Sequence, residues 1–190
     1  MLTVEEILKR DIIKLDLGGG RHPAEGYINV NKEAYPEVDL QANITRLPFP
    51  PGSIHGIISR DTLNCFKQTE TKGILRHWYR ILKNGSKIII QVPDLDQILD
   101  AYQRRCCECW DKESRLGKED CPKCQGKPIL SFERLKLYLF GKNDSPYQNC
   151  FTSDYLKELV ESAGFEIKGI EKLPLRLRII AVKKVKKKSD

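Results

Sequence analysis

Two clusters in this chain have the residue types and spacing to do chemistry. The first is Asp16-Leu17-Gly18-Gly19-Gly20, a short apolar run that ends in an acid and three glycines. Glycine lacks a Cβ and tolerates positive φ, so such a turn lets backbone approach a ligand closely. No GxxxxGK phosphate loop is present, which argues against a nucleoside triphosphatase. The second cluster is Cys106-Cys107-Glu108-Cys109 followed, eleven residues later, by Cys121-Pro122-Lys123-Cys124. Two C-x2-C hooks can set the thiolates of Cys106, Cys109, Cys121 and Cys124 around zinc at Zn–S distances of about 2.3 Å. The stretch between them, Trp110 to Asp120, is polar and offers little core. A structural metal contributes on the order of 10–16 kcal/mol, enough to fold such an insert. Four sulfur ligands leave no open coordination position, so the expected zinc is structural. A disulfide pair or an iron–sulfur cluster would draw on the same residues, and Cys107 is a spare thiol. Cys65 and Cys150 stand alone and read as small buried hydrophobes.

The elements that must position these residues alternate between strand-like and helix-like segments, which predicts an α/β fold with a largely parallel sheet. Strands are expected at about 12–17, 27–30, 38–40, 54–59, 87–92, 165–171 and 176–182. Thr3 and Glu6 have capping-box spacing ahead of a short helix. Ile74, Leu75, Trp78, Ile81 and Leu82 share one face of a helix over about 69–83, with Asn84-Gly85 as its stop. Trp78 therefore reads as core. Further helices are expected after Pro93-Asp94, over 130–140, and from Thr152 or Ser153 to Gly164.

The chain has 190 residues, 40% hydrophobic and 31% charged, which fits one domain able to build a core without disulfide staples. The formal charge of +7 is uneven, because Lys172 to Asp190 holds eight basic residues and one acid. The rest of the chain is neutral. The lysine run from Lys183 to Lys188 has the charge to contact phosphate backbones, although no aromatic residues interleave with it, and a solvated terminus explains it as well. No apolar run approaches the roughly 20 residues that span a bilayer. The first residues lack a basic-then-apolar signal. The expectation is a cytoplasmic protein with reduced cysteines and no membrane contact.

Several strings in order carry a family resemblance: Lys14 to Gly20, Gly26-Tyr27-Ile28-Asn29-Val30, Asn43-Ile44-Thr45-Arg46-Leu47-Pro48-Phe49-Pro50, Tyr79 to Gly85, and Val92-Pro93-Asp94-Leu95. Together they resemble the class I S-adenosylmethionine-dependent methyltransferases, in particular small members with an LGCG…GWINVD…LPFPD…LEH…RVLKPGG…PDL pattern. The resemblance runs over about 12–182 apart from the cysteine insert. It implies a Rossmann-like, doubly wound, mostly parallel seven-stranded sheet with an antiparallel last strand. The expected organisation is one domain over 1–182, a zinc-binding insert at 105–128 within it, and a basic tail at 183–190. It further implies that Gly18, Gly19 and Gly20 pass beneath the methionine part of S-adenosylmethionine, with Asp16 orienting its amino group. Asn31 matches the residue that holds the ribose hydroxyls. Asn43 and Ile44 match the adenine contacts, with Asn43 aimed at the exocyclic amine. Ser59, Arg60 and Asp61 match the loop bordering the reactive methyl, and Asp61 is the candidate base for a hydroxyl acceptor. The acceptor is unidentified, and the analogy points to small-molecule or glycan-precursor hydroxyls.

The chain departs from that pattern where acids are expected, with asparagine at 31 and 43, and LEH is replaced by Leu63-Asn64-Cys65. A neutral hydrogen bond contributes about 0.5–1.5 kcal/mol and one to a charged group about 1.5–3, so both losses together weaken a cofactor by about 2 kcal/mol, roughly 30-fold. The competing reading is a degraded methyltransferase scaffold that recruits protein or RNA through the cysteine insert and lysine tail. A hollow plugged by the protein's own side chains would overturn the enzyme reading. His22, His55 and His77 carry no catalytic assignment.

Overall fold

The computed structural model describes residues 1–103, 132–142 and 145–185. The cysteines Cys106, Cys109, Cys121 and Cys124, with the insert they define, lie outside the described residues, as does the tail beyond 185. In chain order the elements are α1 (Val4–Leu8), β1 (Lys14–Leu17), β2 (Ile28–Asn31), β3 (Leu40–Gln41) and β4 (Ile54–Arg60). After a 3-10 turn at Leu63–Cys65 come α2 (Gln68–Ile81), β5 (Leu82–Pro93), α3 (Leu95–Gln103) and α4 (Phe132–Phe140). A short hairpin of β6 (Gly141–Lys142) and β7 (Ser145–Pro146) precedes α5 (Ser153–Ser162), β8 (Phe165–Leu173) and β9 (Arg176–Lys183). The hairpin was not foreseen.

The seven-stranded sheet has the order β3-β2-β1-β4-β5-β9-β8. Strands β1 to β5 pair in parallel, and β9 runs antiparallel to both β5 and β8. Strand order therefore reverses between β1 and β4. The ligand crevice of an open α/β sheet lies outside the carboxyl ends of the strands at such a switch.

Alternation along the strands separates two faces. Leu15, Ile57, Ile88 and Ala181 are register partners on one face, and all belong to the core with Leu75 and Trp78 of α2 and Leu156 and Val160 of α5. Burying each large aliphatic side chain contributes about 1.5–3 kcal/mol. Trp78 fixes the α2 contact with direction, because its indole Nε1–H donates to the Ile44 carbonyl at 2.8 Å. On the opposite face Ile58, Ile89 and Ile180 are also register partners, yet they are only half-buried and stand outside the core cluster. Among the described residues, the expected helices are missing between β1 and β3. The β1–β2 link spans 18–27 and the β2–β3 link 32–39, and neither holds a helix. A helical crossover needs about a dozen residues or more, which these links lack.

A second correction concerns the end of α2. The helix stops at Ile81, Leu82 is already extended (φ −66°, ψ 143°), and Asn84-Gly85 lies inside β5. Fully buried Leu82 is drawn into register with Ile54, and the pairing then shifts so that Gly56 meets Lys87. Gly85, at φ +77°, absorbs that irregularity. No helix among the described residues is long and apolar enough to cross a membrane.

Candidate functional site

Strand β1 delivers the glycine turn to the carboxyl edge of the sheet. Gly18 has φ +78°, and its N–H donates to the Val30 carbonyl at 2.9 Å. A Cβ there would lie 2.5 Å from Thr62 Oγ1, and one at Gly19 would lie 2.8 Å from both Asn29 Oδ1 and Asp16 Oδ2. Close packing and conformation together admit only glycine at 18. Gly20, at φ +58°, has nothing within 4 Å of its Cβ position. It faces open space.

Asp16 is fully buried under this turn. Its Oδ2 accepts from Arg60 Nη2 at 2.6 Å and from the Ala24 N–H at 2.7 Å. The same Arg60 nitrogen donates to the His22 carbonyl at 2.7 Å. The acid and the arginine therefore tie the turn to the end of β4. A partner's removal would leave Asp16 as an uncompensated buried charge, a loss of about 3–5 kcal/mol.

In front of the turn lies a cleft of about 710 Å³. Gly18, Gly20, Asn31, Asn43, Ile44 and Asp61 all line it, so the turn after β1 and residues at or just past the ends of β2, β3 and β4 converge on one hollow. Thr62, Cys65 and Gln148 add to its wall. A smaller pocket of about 270 Å³ adjoins it, sharing Gly18 and Asp61 and adding Gly19, His22, Arg60, Gln91 and Arg176. Asp16 and Ser59 line neither, and Ser59 is 1% exposed. The hollow is open and not filled by side chains.

The two asparagines have distinct settings. Among the described residues, the Asn31 side chain at the end of β2 has only a long 3.4 Å bond, accepted by its Oδ1 from the Glu33 N–H. Asn43 Oδ1 accepts from the Thr45 N–H at 3.0 Å and from Thr45 Oγ1 at 2.8 Å. Its carbonyl oxygen is thus occupied, and its amide donor is the group left for a ligand.

Asp61 stands where cleft and pocket meet, at φ +50°, a conformation that strains a side-chain-bearing residue by about 1–2 kcal/mol. Its N–H donates to the Gln91 carbonyl at 2.9 Å, and its Oδ2 accepts from Arg176 Nε at 2.9 Å. Its Oδ1 is buried without a partner. Burial alone would lower the Arg176 guanidinium, but the bond to Asp61 and its charge more than offset this and hold it above its ordinary value. Burial pushes the neighbouring Tyr147 phenol up, and the Asp61 charge adds to that. Thr62, Gln91, Arg176 and Tyr147 were not foreseen as site residues. Their only signal is long-range pairing, which a linear pattern does not display.

Other chemically able groups are placed more plainly. His55 Nδ1 accepts from the Ile13 N–H at 3.0 Å and His77 Nε2 from the Leu47 N–H at 2.9 Å, and neither lines the cleft or its pocket. His22 borders the smaller pocket. Cys65 is half-buried and Cys150 exposed, so the expectation that both are buried fails. Cys65 is instead part of the cleft wall, and Cys150 sits in the exposed strand-free segment before α5. Among the described residues no group of three or more His, Cys, Asp or Glu could hold a metal ion.

With this geometry in view, comparison with known proteins is informative. Residues 20–90 match a family model described as a methyltransferase domain. A solved S-adenosylmethionine-dependent methyltransferase of Methanosarcina mazei superposes with a TM-score of 0.59 at 17% identity, over 96% of this chain and 97% of its own. The fold is that of the S-adenosylmethionine-dependent methyltransferases. The same fold recurs in a methyltransferase of Mesorhizobium loti (TM-score 0.55, 15% identity, 90% and 91% coverage). It recurs again in the 1,6-didemethyltoxoflavin-N1-methyltransferase of Burkholderia thailandensis (TM-score 0.59, 16% identity, 94% and 73% coverage), whose structure holds S-adenosylhomocysteine and its substrate. No curated protein sequence matches the chain.

Proposed function

We propose that this methyltransferase fold binds S-adenosylmethionine in the 710 Å³ cleft and transfers its methyl group to an acceptor entering from the adjoining pocket. The observation that carries the reading is the convergence of Gly18, Gly20, Asn31, Asn43, Ile44 and Asp61 on one open hollow at the switch in strand order. The residues fit the cofactor. Glycines let backbone close on a chain-like part, Asn31 offers an amide to ribose hydroxyls, the Asn43 amide donor meets a base nitrogen, and Ile44 supplies an apolar wall. Bound S-adenosylmethionine supplies a methyl group on a sulfonium, open to an electron-rich acceptor. The chain's contribution is alignment, for which effective molarities of about 10⁵–10⁸ M set the scale.

Asp16 and Ser59 act in this reading behind the surface, and Arg60, which lines the smaller pocket, joins Asp16 in holding the turn. Asp61 orders Arg176 at the junction. With Oδ2 occupied and Oδ1 buried, its geometry supports a positioning role over that of a base. Calorimetry with S-adenosylhomocysteine tests the reading. Saturable micromolar binding, abolished by Gly20→Val, is expected; no heat at millimolar ligand overturns it.

The same proposal keeps a structural zinc at Cys106, Cys109, Cys121 and Cys124, on the strength of their spacing. Metal analysis of the purified chain should find close to one equivalent, and a metal-free folded protein refutes it. Contact with a protein or nucleic acid through that insert and the lysine tail, and a cytoplasmic location, belong to the proposal on the same sequence grounds.

A further inference from the structure

The smaller pocket has a one-sided chemistry. Three strands carry its polar side chains: Arg60 pairs in register with Gln91, and Gln91 with Arg178, which neighbours the lining residue Arg176 on the same face of β9. Arg176, two residues before Arg178 at the start of β9, lines the pocket beside Gln91. Both carboxylates beside it are already engaged. Asp16 Oδ2 and Asp61 Oδ2 are held by Arg60 and Arg176, and both Oδ1 atoms are buried from solvent. Gln91 Oε1 accepts from Arg178 Nη2 at 3.1 Å, which turns the amide so that its Nε2 donor is left over.

The donors are not used up. Arg176 contributes only Nε to Asp61, and among the described residues its two terminal nitrogens make no hydrogen bond. A pocket that retains guanidinium and amide donors selects a ligand group rich in acceptors and negative charge, and a planar guanidinium matches carboxylate or phosphate geometry. Its volume of about 270 Å³ suits one such group with a small body attached, not an extended aromatic system. The acid partners of Arg60 and Arg176 explain how the two cations coexist there before any ligand arrives.

We infer that this pocket reads an anionic group, a carboxylate or a phosphate, on the methyl acceptor, with Arg176 and Gln91 as its specificity-determining residues. The inference rests on the cofactor reading of the larger cleft, since the acceptor must lie beside it. The same chemistry would suit the cofactor's own amino-acid carboxylate, so the test separates the two sources.

Inorganic phosphate is titrated into the full chain, first alone and then saturated with S-adenosylhomocysteine, while backbone amide shifts of Gly19, Asp61 and Arg176 and the Gln91 side-chain amide are followed. Saturable millimolar binding that persists in the loaded protein is expected. Arg176→Gln should weaken it at least ten-fold, the scale of one charge-assisted hydrogen bond, with S-adenosylhomocysteine affinity held within two-fold. If Arg176→Gln does not fold, Gln91→Leu and Arg176→Lys carry the same comparison and should each weaken phosphate at least three-fold. Displacement of phosphate by S-adenosylhomocysteine assigns the site to the cofactor's carboxylate and overturns the acceptor claim. Phosphate affinity unchanged in the variants, or no saturable binding at all, overturns the anion site itself. Failure of S-adenosylhomocysteine to bind strikes at the cofactor reading and takes the acceptor role with it, whereas phosphate binding lost with Arg176 would still mark an anion site.

Discussion

Replacement of Gly18 by alanine tests how tightly the turn is built. The position has φ +78°, where a residue with a Cβ is strained by about 1–2 kcal/mol. The new Cβ would also sit 2.5 Å from Thr62 Oγ1 and 2.7 Å from Thr62 Cγ2. Thr62 cannot swing away freely. It is 9% exposed, and its hydroxyl lies 3.1 Å from the Leu17 carbonyl and 3.0 Å from that of Arg60. Displacing it loses a buried hydrogen bond, about 1 kcal/mol, and brings the expected total to about 3 kcal/mol. For a domain of this size that lowers the melting temperature by about 6–12 °C. Urea denaturation of Gly18→Ala, Thr62→Ala and the double variant measures it. In the Thr62→Ala background the collision with Oγ1 and Cγ2 is gone, so the added cost of Gly18→Ala should fall to about 1–2 kcal/mol. Gly20→Ala, facing open space, should cost about 1 kcal/mol in either background. Equal costs for Gly18→Ala with and without the threonine would refute the close contact on which the turn's geometry depends.

Three further changes probe other joints of the account. Asn31→Asp restores a charged acceptor at the cleft and should tighten S-adenosylhomocysteine by about 1 kcal/mol, roughly five-fold, read by calorimetry; unchanged affinity means Asn31 does not touch the ligand. Trp78→Phe removes the donor to the Ile44 carbonyl and part of the core, and should cost about 3 kcal/mol in urea denaturation while loosening the Ile44 wall of the cleft. Burial, reinforced by Arg80, holds the His77 imidazole below its ordinary value of 6.5. The folded chain therefore binds the proton less readily than the unfolded one. The stability His77 contributes is complete above about pH 6.5 and declines as pH falls toward the lowered value. His77→Gln, which can still accept from the Leu47 N–H, should lose less stability than the wild type between pH 7.5 and 5; an unchanged decline contradicts the assignment.

Much of the fold is legible in the residues because its signals are local. The helical face of Ile74, Leu75, Trp78 and Ile81 and the glycine turn after Leu17 both depend on spacings within a few residues. The boundary between α2 and β5 is not legible for the opposite reason. Asn84-Gly85 is a proper helix stop in isolation, but Leu82 leaves the helix earlier to pair with Ile54, 28 positions away. The helix-free links were within reach, since neither 18–27 nor 32–39 has helical periodicity; the helices expected there came from the resemblance instead. At the site, Asn31, Asn43 and Ile44 were named from motif order alone, and all three line the cleft. Arg60 and Arg176 acquire their roles from Asp16 and Asp61, which lie 44 and 115 positions away in sequence. Only folding brings those charges together.

A crystal structure with S-adenosylhomocysteine tests the central claim most directly. The account predicts the nucleoside between Asn31 and Ile44 and the sulfur beside Gly18 and Asp61, with Arg60 still bound to Asp16. A ligand seated elsewhere, or a cleft that stays empty at saturating concentration, would contradict it.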